Sequence, residues 1–270
     1  MSRLADWLAG RRRVPGGDGR TGPPRSSNGA SSHHLVWEVP AGSWVGAEAT
    51  LEVVESPTVP RLHFWALQVG MEDRGRRGGG AHLGLQWHRP HPGSTAVNWG
   101  GYGPDGAELA GSTSPLPSAT GNPNTRDLPW LPGRPYRLAV GPSPVPAPDG
   151  TAAWRGTVTD LVTGEATVVR DLYAPGRTIT GPVVWSEVFA DCDAPRAAVA
   201  WSDLAVVDAD GGTRAVTRVH TTYQAVAQGG CRTSDSWLDG RRVVQASGVT
   251  RRTPSGAVLD LGGGQDRERS

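Results

Sequence analysis

The sequence predicts an all-β protein, an antiparallel β-sandwich of jelly-roll type that follows a disordered N-terminal arm. The chain holds 38 glycines and 23 prolines among 270 residues, and both residue types break helices and favour turns. Between these turns the apolar residues form short runs that alternate with a period of two, which is typical of strands. Eleven tryptophans supply enough apolar bulk for a packed core.

Charge and composition exclude several classes of partner. The net charge is +1, so no overall field favours nucleic acid or anionic lipid. The 27 basic residues are all arginine, a bias that fits a GC-rich genome better than selection for phosphate binding. No segment is apolar for long enough to cross a bilayer, and Arg11–Arg13 follow the mildly apolar start instead of preceding it, unlike a signal peptide. These features predict a cytoplasmic protein without nucleic-acid or membrane partners, of unknown oligomeric state.

Three regions follow from the pattern along the chain. Residues 1–32 are rich in Gly, Pro, Arg and Ser and predict a disordered arm, with a short helix possible at Ser2–Leu8. Residues 33–210 predict the β-sandwich. Residues 211–262 supply further short strands that are either appended to the sandwich or complete it.

Strands are predicted in order through the sandwich. His34–Val39 and Ala47–Val54 predict an opening pair, and Arg61–Gly70, the most apolar run, predicts a central strand. Glu72–Gly80 is charged and glycine-rich and predicts a mobile loop, whereas Ala81–His88 alternates cleanly. The remaining predicted strands are Thr95–Trp99, Arg134–Val140, a hairpin of Ala152–Val162 with Ala166–Leu172, Pro182–Phe189 and Ala197–Val207. The polar segment Ala110–Pro135 is long for a plain connection.

The order of these runs resembles the concanavalin A-like lectin/glucanase sandwich. The runs that carry the resemblance are His82–His88, the turn Gly100–Gly106, the strand from Trp154, Pro182–Phe189 and Ala200–Val206. The pattern is also similar to bacterial sandwich domains of unknown function that occur beside carbohydrate-active modules. The resemblance covers residues 34–210 and implies binding or cleavage of polysaccharide by analogy of fold.

Paired catalytic carboxyls are not found where that resemblance leads one to look. Sandwich glycosidases carry Glu-x-Asp-x-x-Glu or a close variant on one strand, and here the nearest run is Glu187-Val-Phe-Ala-Asp191. On a continuous strand Glu187 and Asp191 would be roughly 13 Å apart, beyond the separations of about 5–9.5 Å that glycosidases use. We therefore assign no catalytic residue and lean against an enzyme. A polysaccharide lyase using His82 or His88 with Tyr102, or a hydrolase using Glu187, remains an alternative.

Aromatic side chains beside predicted turns are the candidates for ligand contact, because sugars stack on flat aromatic faces. Trp37, Trp65, Trp87, Trp154 and Trp201 are expected in the core. The predicted ligand contacts are Trp99, Tyr102, Trp130, Trp185, Glu187 and His88.

Metal and cysteine chemistry are sparse. The turn from Asp208 to Gly212 includes Asp210 and could hold calcium, but it lacks the oxygen-rich ligand set of a strong calcium loop, so no metal or other cofactor is predicted. Cys192 and Cys231 are expected as thiols in a cytoplasmic protein and as a disulfide in an exported one.

The function predicted from sequence is thus a non-catalytic carbohydrate-binding module with a polysaccharide as its possible partner. The two alternatives are a jelly-roll lyase or hydrolase, and a structural or protein-partner-binding domain that uses the N-terminal arm as a tether.

Overall fold

The computed structural model describes residues 18–262 and shows an antiparallel β-sandwich of jelly-roll type, as predicted. Two short 3₁₀ turns, at Pro92–Ser94 and Val226–Gln228, are the helical segments of this part of the chain. The strands are β1 (Ser31–Trp37), β2 (Gly46–Glu55), β3 (His63–Asp73), β4 (Arg76–Trp87), β5 (Thr95–Tyr102), β6 (Thr125–Arg126), β7 (Pro135–Pro142), β8 (Ala152–Asp160), β9 (Ala166–Ala174), β10 (Thr178–Val188), β11 (Ala197–Val207), β12 (Thr213–Ala215), β13 (Arg218–Tyr223), β14 (Ser234–Asp239), β15 (Arg242–Ser247) and β16 (Val258–Asp260).

Two sheets pack face to face. The first sheet has the order β16-β13-β1-β10-β3-β4-β5-β6, and the second has β14-β15-β11-β2-β7-β8-β9 with β12 added on β11. The strands β12–β16 of the C-terminal region join both sheets, so residues 211–262 lie within the sandwich and not beside it.

The core lies between the two sheets and follows the predicted alternation. Leu83 and Leu85 of β4 are fully buried, and Trp87 packs against the same cluster. Trp65 from the first sheet and Trp201 from the second are among the largest fully buried side chains. Because the chain has two phenylalanines, tryptophan was expected to fill the core, and the structure confirms this.

Two predictions about local structure are wrong. The opening strands β1 and β2 do not pair, because β1 lies between β10 and β13 in the first sheet and β2 lies between β7 and β11 in the second. The segment Glu72–Gly80 is not a loop but the β3–β4 hairpin, which turns at Arg74 and Gly75 with positive φ at both. Its glycines permit close packing, since a Cβ on Gly78 would meet the carbonyl oxygen of Pro175.

The last part of the predicted arm is packed against the sandwich, whereas Ser2–Leu8 lies outside the described residues. Residues 18–30 form a segment, here called the strap, that hydrogen-bonds to the body of the sandwich before β1 begins at Ser31. Local composition did not indicate these contacts, because their partners lie near residues 190 and 230.

A disulfide joins Cys192, which follows β10, to Cys231, which precedes β14, with their Cα atoms 5.4 Å apart. The structure thus contains the paired form that was expected of an exported protein. No helix in residues 18–262 is long and apolar enough to cross a membrane.

Candidate functional site: the outer face of the first sheet

Side chains alternate between the core and the outer face of the first sheet. On β10, Val184 points into the core, whereas Val183 and Trp185 belong to a separate apolar cluster with Phe64 and Ala66 of β3. This second cluster lies on the side of the sheet away from the sandwich core. Polar side chains surround it, and together they form the outer-face site.

Three aromatic rings form the centre of this site. Trp185 meets Phe64 edge to face, with ring centroids 4.9 Å apart, and His82 of β4 contacts both rings at 5.7 and 5.5 Å. The indole Nε1 of Trp185 donates to Oε1 of Gln68 on β3 at 3.1 Å. That bond fixes the Gln68 amide so that its NH₂ group is left as a donor on this face. Burial lowers the pKa of His82 to about 4, so the ring is neutral at pH 7.

Glu187 stands two residues beyond Trp185 on the same face of β10. Its strand partners are Ser32 on β1 and Phe64 on β3, and its side chain is half-buried. Burial raises the pKa of the Glu187 carboxyl, and the amide of Asn28 opposes that rise by donating to Glu187 Oε1 at 2.8 Å. A carboxyl of this kind exchanges a proton closer to neutral pH than an exposed glutamate does.

Asparagine and glutamine side chains line the far side of the site. Asn98 of β5 donates from Nδ2 to Thr125 Oγ1 at 2.9 Å, and its side chain is buried. Gln86 of β4 pairs with His91 Nε2 at 3.2 Å. Gly84, beside Ala66, carries no side chain, and a Cβ there would collide with the Trp65 carbonyl and with Ala66. The sheet surface at Gly84 is therefore bare backbone, whereas the neighbouring positions of the site carry larger side chains.

The six residues predicted to contact a ligand do not come together. Trp185 and Glu187 share the outer face, and His88 lies at its edge beyond the end of β4. Tyr102 is half-exposed at the opposite end of β5. The expected exposure of Trp99 and Trp130 is wrong, since both side chains are buried in the core.

Close packing explains the burial of those two tryptophans. Trp99 of β5 lies across Gly156 of β8, where a Cβ would come within 2.8–3.0 Å of three ring atoms of the indole. Trp130 packs edge to face on Trp65 and donates its Nε1 hydrogen to the Gln86 carbonyl at 3.2 Å. The long segment that carries Trp130 folds back over the sandwich edge, which its polar composition did not indicate.

The calcium site considered at Asp208 is a hydrogen-bonded turn. The Asp208 carboxylate accepts from the amides of Asp210 and Gly212 at 3.0 and 2.7 Å, which uses its oxygen for the turn itself. Among residues 18–262 no group of three or more His, Cys, Asp or Glu side chains is placed to hold a metal.

Comparison with known proteins finds likeness to solved structures. A scytalidoglutamic peptidase with a peptide-based transition-state analogue matches at 13% identity and a TM-score of 0.45, over 82% of this chain and 98% of the peptidase. SCP-B, of the eqolisin family of peptidases, matches at 13% identity and 0.41 over the same shares. The enzymatically active domain of bacteriophage CBA120 tailspike protein 2 matches at 15% and 0.33, over 71% of this chain and 24% of that one. No family model and no curated protein matches the chain.

The burial of predicted ligand contacts corrects the sequence-based function. The prediction of a non-catalytic carbohydrate-binding module is wrong in its aromatic contacts, because the Trp99 and Trp130 side chains lie in the core and present no face to a sugar. Sequence reasoning also missed Gln68 and Asn28. The alternation of Phe64, Ala66 and Gln68 along β3 was a usable signal for Gln68, whereas nothing in the local sequence pointed to Asn28.

Proposed function

We propose that the protein is a hydrolase in which the Glu187 carboxyl is the general acid–base and an extended peptide lying along β10 is the substrate. The observation that carries this proposal is the Glu187 carboxyl itself, which is half-buried on the outer face of the first sheet, is raised in pKa and accepts a hydrogen bond from an amide donor. Perturbed carboxyls of this type are characteristic of acid–base catalysis.

One carboxyl is compatible with hydrolysis of a peptide bond but not with the usual cleavage of a glycosidic bond. The residues directly opposite Glu187 are Ser32 and Phe64, and the diagonal positions carry His34 and Ala66. None of these four is an acid, so within the described strands β1 and β3 no second carboxyl faces Glu187. Most glycosidases need such a partner at about 5–9.5 Å.

The reaction would begin with the carboxylate of Glu187 removing a proton from a water molecule that attacks the peptide carbonyl carbon. The protonated carboxyl would then return that proton to the leaving amine nitrogen as the C–N bond breaks. The Gln68 amide lies opposite Val183, which places it about 13 Å from Glu187 along the strand. There it would bind the substrate backbone about four residues from the bond that is cleaved.

Substitution of Glu187 tests this function. We expect Glu187→Gln to lower the rate on peptide substrates by at least about 100-fold, because general acid–base groups contribute on this order. The measurement is release of new amino termini from an unfolded protein substrate between pH 3 and 7. The control is Glu165→Gln, which alters an exposed glutamate in the β8–β9 turn. Unchanged cleavage by the Glu187→Gln variant would contradict the proposal.

A polysaccharide lyase is the second candidate, and one observation favours it. His82 and Tyr102 lie on neighbouring strands at diagonal register positions, since Gly100 is opposite His82 and Tyr102 is opposite Gly80. Unsaturated sugar products from a uronic polymer, lost in His82→Gln and kept in Glu187→Gln, would replace the first proposal with this one.

Two finer assignments, of location and of fold family, accompany the proposal. The Cys192–Cys231 disulfide supports an exported protein, since such bonds persist in oxidising compartments. The assignment to the concanavalin A-like class within the β-sandwiches stays a proposal based on the order of strands.

A further inference from the structure

The strap places one polar side chain at the proposed catalytic carboxyl. Asn28 Oδ1 accepts from the Ala30 amide at 3.2 Å and lies 2.8 Å from Ser26 Oγ. Because the amide oxygen is used in this way, Nδ2 faces Glu187 and donates to it at 2.8 Å. The orientation of the Asn28 side chain is thus set within the strap before it reaches the site.

The strap is held by the two chain segments that carry the disulfide. The Cys192 amide donates to the Gly22 carbonyl at 2.7 Å, and Asp193 Oδ1 accepts from the Gly22 amide at 2.9 Å. On the other side of the disulfide, the Arg232 amide donates to the Gly19 carbonyl at 2.8 Å. The Cys231 amide donates to Ser31 Oγ at 2.8 Å, where the strap joins β1.

Tight packing adds to these bonds. A Cβ on Gly229 would lie 2.1 Å from the Ser26 nitrogen, so the strap and the segment before Cys231 are in direct backbone contact there. The Arg25 amide donates to the Gly229 carbonyl at 2.8 Å at the same place. Movement of either disulfide segment would therefore displace the part of the strap that carries Asn28.

We propose that Asn28 is a positioning residue for Glu187, and that the Cys192–Cys231 disulfide holds the strap that presents it, so that the hydrolase is fully active in the oxidised form alone. This inference rests on the proposed function. A dithiol reductant would convert the disulfide to two thiols and itself become a cyclic disulfide. The two segments to which the strap is hydrogen-bonded would then no longer be linked to each other. An exported enzyme would thereby remain less active until its disulfide forms.

The first test follows Glu187 directly and needs no catalysis. Titration of the Glu187 side-chain carboxyl by ¹³C NMR is expected to show an upward pKa shift in Asn28→Ala, because a donor to the carboxylate is lost. We expect the same variant to lower kcat on the order of tenfold with KM unchanged. An unchanged Glu187 titration would overturn the positioning role.

The second test separates the strap from the side chain. In the double variant Cys192→Ser, Cys231→Ser, the Arg25 amide is expected to lose protection from hydrogen exchange while the amides of central strand β3 keep theirs. The Glu187 pKa should rise in the same direction as in Asn28→Ala. Oxidised Asn28→Ala serves as the matched control, in which Arg25 remains protected. Full protection of Arg25 after loss of the disulfide would overturn the strap mechanism.

The two proposals fail in distinguishable ways. If Glu187→Gln remains active, the hydrolase proposal fails, yet the titration and the exchange experiment still report on the strap. If Glu187→Gln is inactive but the Glu187 titration is the same with and without Asn28, the hydrolase stands and the positioning role of Asn28 is lost.

Discussion

At the level of single residues, three buried histidines make the protein sensitive to pH. His33 and His63 are almost fully buried, and His34 is nearly so. Burial lowers the pKa of His33 to about 3 and the pKa of His34 and His63 to about 4. In the unfolded chain these histidines take up protons near pH 6.5. In the folded protein all three rings are still neutral at that pH.

The stability of the fold should therefore depend steeply on pH. Each of these histidines has a folded pKa below its unfolded value of 6.5, so the unfolded state binds more protons between pH 6.5 and 4 and stability falls as pH falls. From pH 5.5 to 4.5 we expect each to cost about 1 kcal/mol, or about 3 kcal/mol for the three together, and His82, whose pKa is also lowered to about 4, should add a similar amount. Urea unfolding across this range measures the slope. The His33→Asn variant should take up about one proton fewer on unfolding, so its free energy of unfolding should change less steeply with pH. An unchanged slope would contradict the low pKa of His33 in the folded protein.

At the level of strands, a glycine in one sheet accommodates a tryptophan in the other. Gly156 of β8 lies against the Trp99 indole, which fills the space that any side chain at 156 would need. Alternation predicted both strands, but the pairing of a small residue with a large one across the core depends on how the sheets stack. The sequence-based role of Trp99 as a ligand contact was wrong for this reason.

Substitution at Gly156 tests this contact. We expect Gly156→Ala to destabilise the protein by about 1–3 kcal/mol, the usual cost of overpacking a core. In the background Trp99→Phe the same substitution should cost less, because the smaller ring leaves room for the methyl group. Urea denaturation of the four proteins in the double-mutant cycle gives the coupling energy. Additive effects would show that the two residues do not compete for space.

At the level of the whole molecule, Gln245 of β15 connects the C-terminal strands with both sheets. Its Oε1 accepts from Trp201 Nε1 at 2.9 Å and from Ser186 Oγ at 3.1 Å, and its Nε2 donates to the His33 carbonyl at 3.0 Å. Ser186 and His33 belong to the first sheet, whereas Trp201 and Gln245 belong to the second. These contacts make residues 211–262 part of one packed unit.

Loss of this buried amide should destabilise the entire sandwich. Gln245→Leu removes the partners of the Trp201, Ser186 and His33 groups, and each buried polar group left unpaired costs about 1–3 kcal/mol. We expect a loss of at least about 2 kcal/mol and a single unfolding transition that tryptophan fluorescence and circular dichroism report alike. The control is Glu165→Leu, which places the same apolar side chain in the exposed β8–β9 turn, outside the core. Two separated transitions would contradict a single cooperative unit.

Local sequence was enough to predict the class of fold and most of the strands. Period-two alternation is a property of neighbouring residues, so it located β3, β4, β10 and β11 and the β8–β9 hairpin without knowledge of what packs on them. Which strands pair became clear from the tertiary structure alone, because pairing depends on contacts between residues far apart in the chain. The predicted pairing of β1 with β2 was wrong for this reason.

The residues of the candidate site likewise divide into those that the local sequence predicted and those that the tertiary structure alone revealed. Glu187 and Trp185 were identified from one strand, since residues two apart on a strand share a face. Asn28 meets Glu187, and the disulfide segments meet the strap, through contacts between distant parts of the chain, as the 159-residue separation of Asn28 and Glu187 shows. Local composition carries no information about such contacts. The sequence therefore fixes which residue types each strand presents, and the packing of the strap and sheets sets which of them face one another.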